Sequence, residues 1–159
     1  MIKYYNSMVV FEEIPNEITL AINITNCPCK CVGCHSKFLW DDVGNELTTD
    51  ELSKLLDRNY GISCVCFMGG DSNPKEVNAL AKFIKSNPRY YGIKVGWYSG
   101  RDSLSNDISV YLFDYIKIGH YDNKLGGLRS KRTNQKMYKV ENGHLEDITE
   151  IFHSGRKAF

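Results

Sequence analysis

The sequence predicts an α/β fold, a partial, open (β/α) barrel with mostly parallel strands. Three observations lead there. Strand-like patterns alternate with helical ones, which argues parallel strands joined by crossover helices. The chain has 159 residues, too few for a complete eight-stranded barrel of about 250 residues. Glycine-bearing turns close successive strand patterns, at Gly69-Gly70-Asp71, Ser99-Gly100 and Gly119-His120.

Each element has its own justification. Met8 to Phe11 is short and apolar, and Glu12 to Asn16 reads as a turn, so a hairpin into the next segment is expected. Ile18, Leu20, Ile22 and Ile24 alternate with Thr19, Ala21, Asn23 and Thr25, the period of a strand. Thr48 with Glu51 fits a capping box. Leu52, Leu55 and Leu56 then share one helical face, and Gly61 suits the stop. Cys64 to Met68 is a nearly continuous apolar run, as in a strand buried on both faces. Pro74 stands where a helix would begin, and Val77, Leu80, Ala81 and Ile84 keep the i, i+3, i+4, i+7 spacing of an amphipathic helix. Ile93 to Tyr98 reads as the next strand. Ile108, Tyr111 and Leu112 suggest a short helix, and Tyr115 to Ile118 a further strand. Met137 to Val140, Asn142-Gly143 and His144 to Ile148 form a hairpin pattern with a type I′ turn. Ile151 and Phe152 suit a last helical turn.

One domain is expected over residues 1–159. Hydrophobic residues make up 42% and charged residues 25%, ordinary for a globular protein. The net charge of +1 gives no bulk field toward nucleic acid or membrane. Met1 to Asn6 holds no long apolar segment, so no signal peptide is expected. No apolar run approaches the roughly 18 residues of a membrane span.

Four of the six cysteines fall between Cys27 and Cys34. Pairing such near neighbours as disulfides would strain the bridge geometry. A metal site in a reducing cytoplasm fits better. Cys27, Cys31 and Cys34 follow C-x3-C-x2-C. A zinc ribbon would need a second ligand pair with its own knuckle spacing. Cys64 and Cys66 are one residue apart in an apolar run, which reads as inert core thiols. Three thiolates on a tight loop suit an iron–sulfur cluster, and a fully ligated one takes four. Leaving one iron without a protein ligand opens a coordination position, as in catalytic zinc centres. Cys29 has three readings: a fourth ligand, a member of a shifted set Cys29, Cys31 and Cys34, or a non-ligand that is a small apolar residue or a weak donor toward cluster sulfur. The spacing C-x-C-x2-C of the shifted set matches no cluster pattern, and the non-ligand is the expectation here.

The motif just after an apolar strand resembles the radical S-adenosylmethionine superfamily. Gly33-Cys34-His35, Leu39-Trp40, Gly69-Gly70-Asp71 and Thr133-Asn134-Gln135 narrow the likeness. In that order they resemble the activating enzyme of the anaerobic (class III) ribonucleoside-triphosphate reductase, from about Glu17 to about Val140. The resemblance implies a barrel of the radical S-adenosylmethionine type. It implies a [4Fe-4S] cluster on Cys27, Cys31 and Cys34, whose open iron chelates S-adenosylmethionine. One electron then yields methionine and a 5′-deoxyadenosyl radical, and a glycine Cα hydrogen of the reductase is abstracted. A flavodoxin- or ferredoxin-type donor would supply the electron.

The same resemblance assigns Gly33, Cys34, His35, Gly69, Gly70, Asp71 and Ser99 to the cofactor. Gly33 lacks a side chain, so an adenosyl group can approach the backbone. Asp71 would accept from the methionine ammonium; many relatives carry Glu there. Ser99 reads either as a methionine or ribose contact or as a plain turn. The stretch Lys124 to Lys139 carries six basic and no acidic residues. A protein partner suits it better than nucleic acid, because no aromatic platform interleaves the charges. Three other functions stay open: activation of another glycyl-radical enzyme such as pyruvate formate-lyase, radical chemistry on a small molecule such as a deazapurine, and a cluster-bearing module without catalysis.

Overall fold

The computed structural model describes residues 1–153. It is built on one eight-stranded sheet. The strands are β1 Lys3–Val10, β2 Thr19–Ile24, β3 Asn45–Glu46, β4 Cys64–Met68, β5 Lys94–Tyr98, β6 Tyr115–Ile118, β7 Lys136–Glu141 and β8 His144–Asp147. The helices are α1 Thr49–Arg58, α2 Pro74–Ser86 and the single turn α3 Glu150–His153.

The spatial order is β3-β1-β2-β4-β5-β6-β7-β8. β2, β4, β5 and β6 run parallel, while β1 and β3 flank one side and β7 and β8 the other in antiparallel pairs. Three pairings of seven are therefore parallel, fewer than a mostly parallel sheet would have. The reason is local. Each outer strand joins its neighbour through a hairpin or a returning loop, and antiparallel neighbours need no crossover helix. The four central strands lie in sequence order without reversal.

The two sheet faces are covered differently. Leu20, Ile22, Ile24, Val65, Phe67, Val95, Trp97 and Ile116 point to the helices. There they meet Leu52, Leu55 and Leu56 of α1 and Val77, Leu80, Ala81 and Ile84 of α2. The opposite face holds Cys64, Cys66, Tyr98, Tyr115 and Met137, capped by Ile14, Leu128, Ile148 and Phe152. This explains the unbroken apolar run of β4, buried on both sides.

Local chemistry sets the helix starts. Thr48 Oγ1 accepts from Glu51 N at 3.1 Å, but the reciprocal half of the capping box is absent. The Glu51 carboxylate accepts instead from Tyr4 Oη at 2.5 Å. α2 begins at Pro74 behind the Asn73 cap. The short helix near Tyr111 is a 3₁₀ turn, Val110–Leu112. Asn142 (φ 50°) and Gly143 (φ 78°) form the turn between β7 and β8, as a type I′ turn requires. β1 begins five residues before Met8, because Tyr4 is buried while Lys3 and Asn6 interrupt the apolar signal. Among the described residues no helix is long and apolar enough to cross a membrane.

Candidate metal centre

Parallel strands bring their C-terminal ends to one edge of the sheet, where ligands bind in such folds. The cysteine loop follows β2, Gly69-Gly70-Asp71 follows β4, Ser99-Gly100 follows β5, and Gly119-His120 follows β6. Contacts between these four segments form one mouth.

The loop is closed at its base. Asn26 N donates to Asp41 O at 3.0 Å and Cys27 N to Leu39 O at 3.0 Å. Thr25 Oγ1 donates to Val43 O at 2.6 Å. Leu39 is buried beneath the loop. Inside it, Asn26 (φ 60°) and Lys30 (φ 43°) take the left-handed conformation, which bends the chain around the thiols. Cys34 N returns to Cys31 O at 3.1 Å.

All four loop cysteines are free thiols of intermediate exposure. The Cys29 thiol donates to Cys27, as do the backbone N–H groups of Cys29 and Lys30, and together they hold the Cys27 thiol down at about 6. Donation to Cys27, burial and the neighbouring Asp71 push the Cys29 thiol up. Ser36 N donates to Cys34 Sγ at 3.3 Å. Backbone donors aimed at sulfur stabilise thiolate charge and tune a cluster. Among the described residues no group of His, Cys, Asp and Glu is gathered as one metal ion would need. A four-iron cluster is wider than one ion and takes one thiolate per iron, so its ligands stand farther apart. The donor set, three partly exposed thiols on a loop rich in N–H groups, fits such a cluster.

Two walls flank the loop. On one side, Asp71 Oδ1 accepts from Ser99 Oγ at 2.6 Å and Oδ2 from Gly100 N at 2.8 Å. Cys29 Sγ approaches the same Oδ2 at 3.8 Å. A Cβ on Gly100 would stand 2.9 Å from Cys29 Sγ. Trp97 Nε1 donates to Gly69 O at 2.7 Å, which turns one of the two glycine carbonyls toward the core. A Cβ on Gly70 would meet Val77 Cγ2 at 2.5 Å, so that glycine lets α2 approach.

On the other side, the His35 ring packs against Tyr121 with centroids 5.3 Å apart. A Cβ on Gly33 would stand 2.9 Å from Asn123 Cβ. The missing side chain at Gly33 thus lets Asn123 pack against the cysteine loop. Neither Tyr121 nor Asn123 stood out in the sequence, because their only signal is position after the β6 end. Thr133-Asn134-Gln135 clamps that end: Asn134 Nδ2 donates to His120 O at 3.1 Å and Gln135 Nε2 to Gly119 O at 3.3 Å.

Other residues stay outside the mouth's chemistry. Burial pushes the Cys64 thiol up to about 12 and the Cys66 thiol well above its usual range, which agrees with inert core thiols. The basic stretch is partly neutralised from elsewhere in the chain. Arg129 pairs with Glu12 at 3.1 Å, Lys136 with Asp147 at 3.6 Å and Lys139 with Glu141 at 3.2 Å.

A family model described as a 4Fe-4S single cluster domain matches residues 18–118. That span covers well over half of the chain, from β2 through β6, and contains the whole cysteine loop. No curated protein and no solved structure matches the chain. The chain belongs to the 4Fe-4S single cluster domain family.

Proposed function

We propose that this iron–sulfur protein is a radical S-adenosylmethionine activase whose substrate is the anaerobic ribonucleoside-triphosphate reductase. The observation that carries the reading is the junction of the cysteine loop with the ends of β4, β5 and β6. Asp71 and Gly100 touch it on one side, and Tyr121 and Asn123 on the other. The sequential order of the parallel strands, with α1 and α2 on one face, supports a partial, open barrel of the radical S-adenosylmethionine type.

Cys27, Cys31 and Cys34 would hold the cluster and leave one iron without a protein ligand. A bound [4Fe-4S] cluster supplies the single electron that splits the sulfonium of S-adenosylmethionine. The chain does the rest. Asp71, oriented by Ser99 Oγ and Gly100 N, presents fixed negative charge toward the cofactor's ammonium group. Gly69 and Gly70 keep side chains away from that edge. His35, its ring tilted against Tyr121, would form a wall for the adenosyl half. The core thiols Cys64 and Cys66 stay protonated and unreactive.

A protein substrate suits the small chain. An enzyme for a small metabolite encloses it in a concave pocket, and this mouth is framed by few loops. The glycine Cα hydrogen of the reductase would enter there, with the electron coming from a flavodoxin- or ferredoxin-type donor. Anaerobic reconstitution with iron and sulfide, followed by reduction in the presence of S-adenosylmethionine, tests the reading. Methionine release is expected. A reduced, cluster-loaded protein that leaves the cofactor intact overturns it in favour of a binding module.

A further inference from the structure

Two segments that cover the sheet face opposite α1 and α2 meet at an ion pair. The turn between β1 and β2 is the anchored one. Its Ile14 is fully buried in the cluster of Cys64, Cys66, Tyr98, Tyr115 and Met137. Glu17 accepts from Ser63 Oγ and Lys94 Nζ, each at 2.8 Å, and from Tyr115 Oη at 3.1 Å. The Tyr98 hydroxyl donates to Glu13 O. The other segment is the loop between β6 and β7, whose Leu128 packs on the same cluster.

That loop is bonded mostly to itself. Gly126 N donates to Asp122 O at 2.7 Å and Ser130 N to Gly127 O at 2.9 Å. Arg132 Nη2 donates to Lys124 O at 3.0 Å and Thr133 Oγ1 to Gly126 O at 3.1 Å. Asn123 rests on Gly33 at one end, and Asn134 and Gln135 clamp the other to the end of β6. Between those ends lies a compact loop that shifts without breaking its own bonds. Among the described residues, one ion pair ties residues 124–133 to a segment outside 122–135, and no hydrogen bond other than its own does. It is Arg129 with Glu12 at 3.1 Å, the side chains 67% and 60% exposed. An exposed pair of this kind holds weakly. Lys131 and Arg132 beside it are exposed too.

We propose that residues 124–133 are a gate over this face of the sheet, and that an acidic segment of the reductase opens it by taking Arg129 from Glu12. The inference rests on the proposed protein substrate. A glycine inside a polypeptide brings its neighbours with it, so its Cα hydrogen needs room for a stretch of backbone. Ile14 and Leu128 fill that room, Ile14 on the anchored turn and Leu128 on the weakly latched loop. A partner that pairs with Arg129 only after Glu12 releases it binds the open form better, and so shifts the population toward it. Lys131 and Arg132 extend the same one-signed surface toward that partner. Without the partner the latch holds and the apolar face stays covered.

The test uses reconstituted protein with Leu128→Cys as a reporter, and follows its iodoacetamide labelling by mass spectrometry without any partner. Adding Glu12→Gln should speed labelling about twofold to fivefold, the range an exposed ion pair commands. Glu12→Arg with Arg129→Glu rebuilds the pair in reverse and should return labelling to the reporter's own rate. With Leu128 restored, that charge reversal should slow glycyl radical formation on the reductase about tenfold or more, because position 129 then repels an acidic partner. Glu12→Gln should form the radical at least as fast as wild type, with partner-free cofactor cleavage unchanged. Labelling that Glu12→Gln leaves unaltered overturns the gate. So does a charge reversal that forms the radical at the wild-type rate, or a Glu12→Gln protein that forms it more slowly. A wild-type protein that forms no radical overturns the activase reading and the opening step with it, while the partner-free labelling still decides the latch.

Discussion

The Asp71 carboxylate accepts a hydrogen bond from the buried Ser99 hydroxyl at 2.6 Å. The bond joins the end of β4 to the end of β5, beside the cysteine loop. It gives Asp71 the duty of holding the mouth together, beside the proposed one of facing the cofactor.

Those duties separate in two variants. Asp71→Ala leaves the Ser99 hydroxyl and the Gly100 N–H without their acceptor, which costs about 1–3 kcal/mol per unsatisfied buried group. Asp71→Asn keeps an acceptor oxygen but loses the charge. Thermal melts should fall for Asp71→Ala and stay near wild type for Asp71→Asn. Both should bind S-adenosylmethionine about tenfold to a hundredfold more weakly, with cluster content unchanged. Unaltered affinity in Asp71→Asn would remove Asp71 from the cofactor site.

The ligand set is tested by iron and sulfide content. Cys27→Ala, Cys31→Ala and Cys34→Ala should fail to hold the cluster, and Cys29→Ala should retain it. Gly100 offers a second handle. Gly100→Ala should force Cys29 aside, since its Cβ would stand 2.9 Å from that sulfur, and so lower cluster loading. Cys29→Ala in the same chain should restore it, a coupling expected of residues in contact. Full loading in Gly100→Ala alone would contradict the packing.

The buried thiols carry a pH signature. The Cys64 thiol is held at about 12, against about 8.5 for a free cysteine. Below the unfolded value the proton count is the same in both states and this group leaves stability unchanged. Above it the unfolded chain ionises first, so stability should fall as pH rises toward 12. In the native protein at pH 8, Cys64 and Cys66 should resist iodoacetamide while unfolded chain reacts. Mass spectrometry that finds them alkylated before unfolding would contradict their burial.

Docking of the proposed partner should be separable from chemistry. Changing Arg129, Lys131 and Arg132 together to Ser should leave partner-free cofactor cleavage near wild type and weaken complex formation with the reductase. The weakening should shrink with added salt, because exposed charges are screened beyond about 8–10 Å. Arg129 has a partner in Glu12, so Lys131→Ser alone should carry a visible share of the effect. Loss of cleavage together with docking would instead assign these residues to the mouth.

Much of the fold was legible because its signals are local. β4 and β6 match their apolar runs, and α2 matches because Pro74 and the four buried positions agree. The hairpin of β7 and β8 follows from Asn142-Gly143. The edge of the site was harder to read. Asp71 with Ser99 spans 28 residues, and Gly33 with Asn123 spans 90; neither pair has a sequence period. The partial neutralisation of the Lys124–Lys139 stretch was hidden in part for the same reason: Glu12, which pairs with Arg129, lies at the other end of the chain.

The central claim is that this protein makes a glycyl radical on another polypeptide. The most direct measurement is electron paramagnetic resonance of the anaerobic reductase, mixed with the reconstituted protein, reductant and S-adenosylmethionine. A protein-centred radical should appear only when all four are present, and should vanish when the acceptor glycine of the reductase is changed to alanine. Cofactor cleavage without any such radical, or a radical that survives the glycine change, would contradict the account.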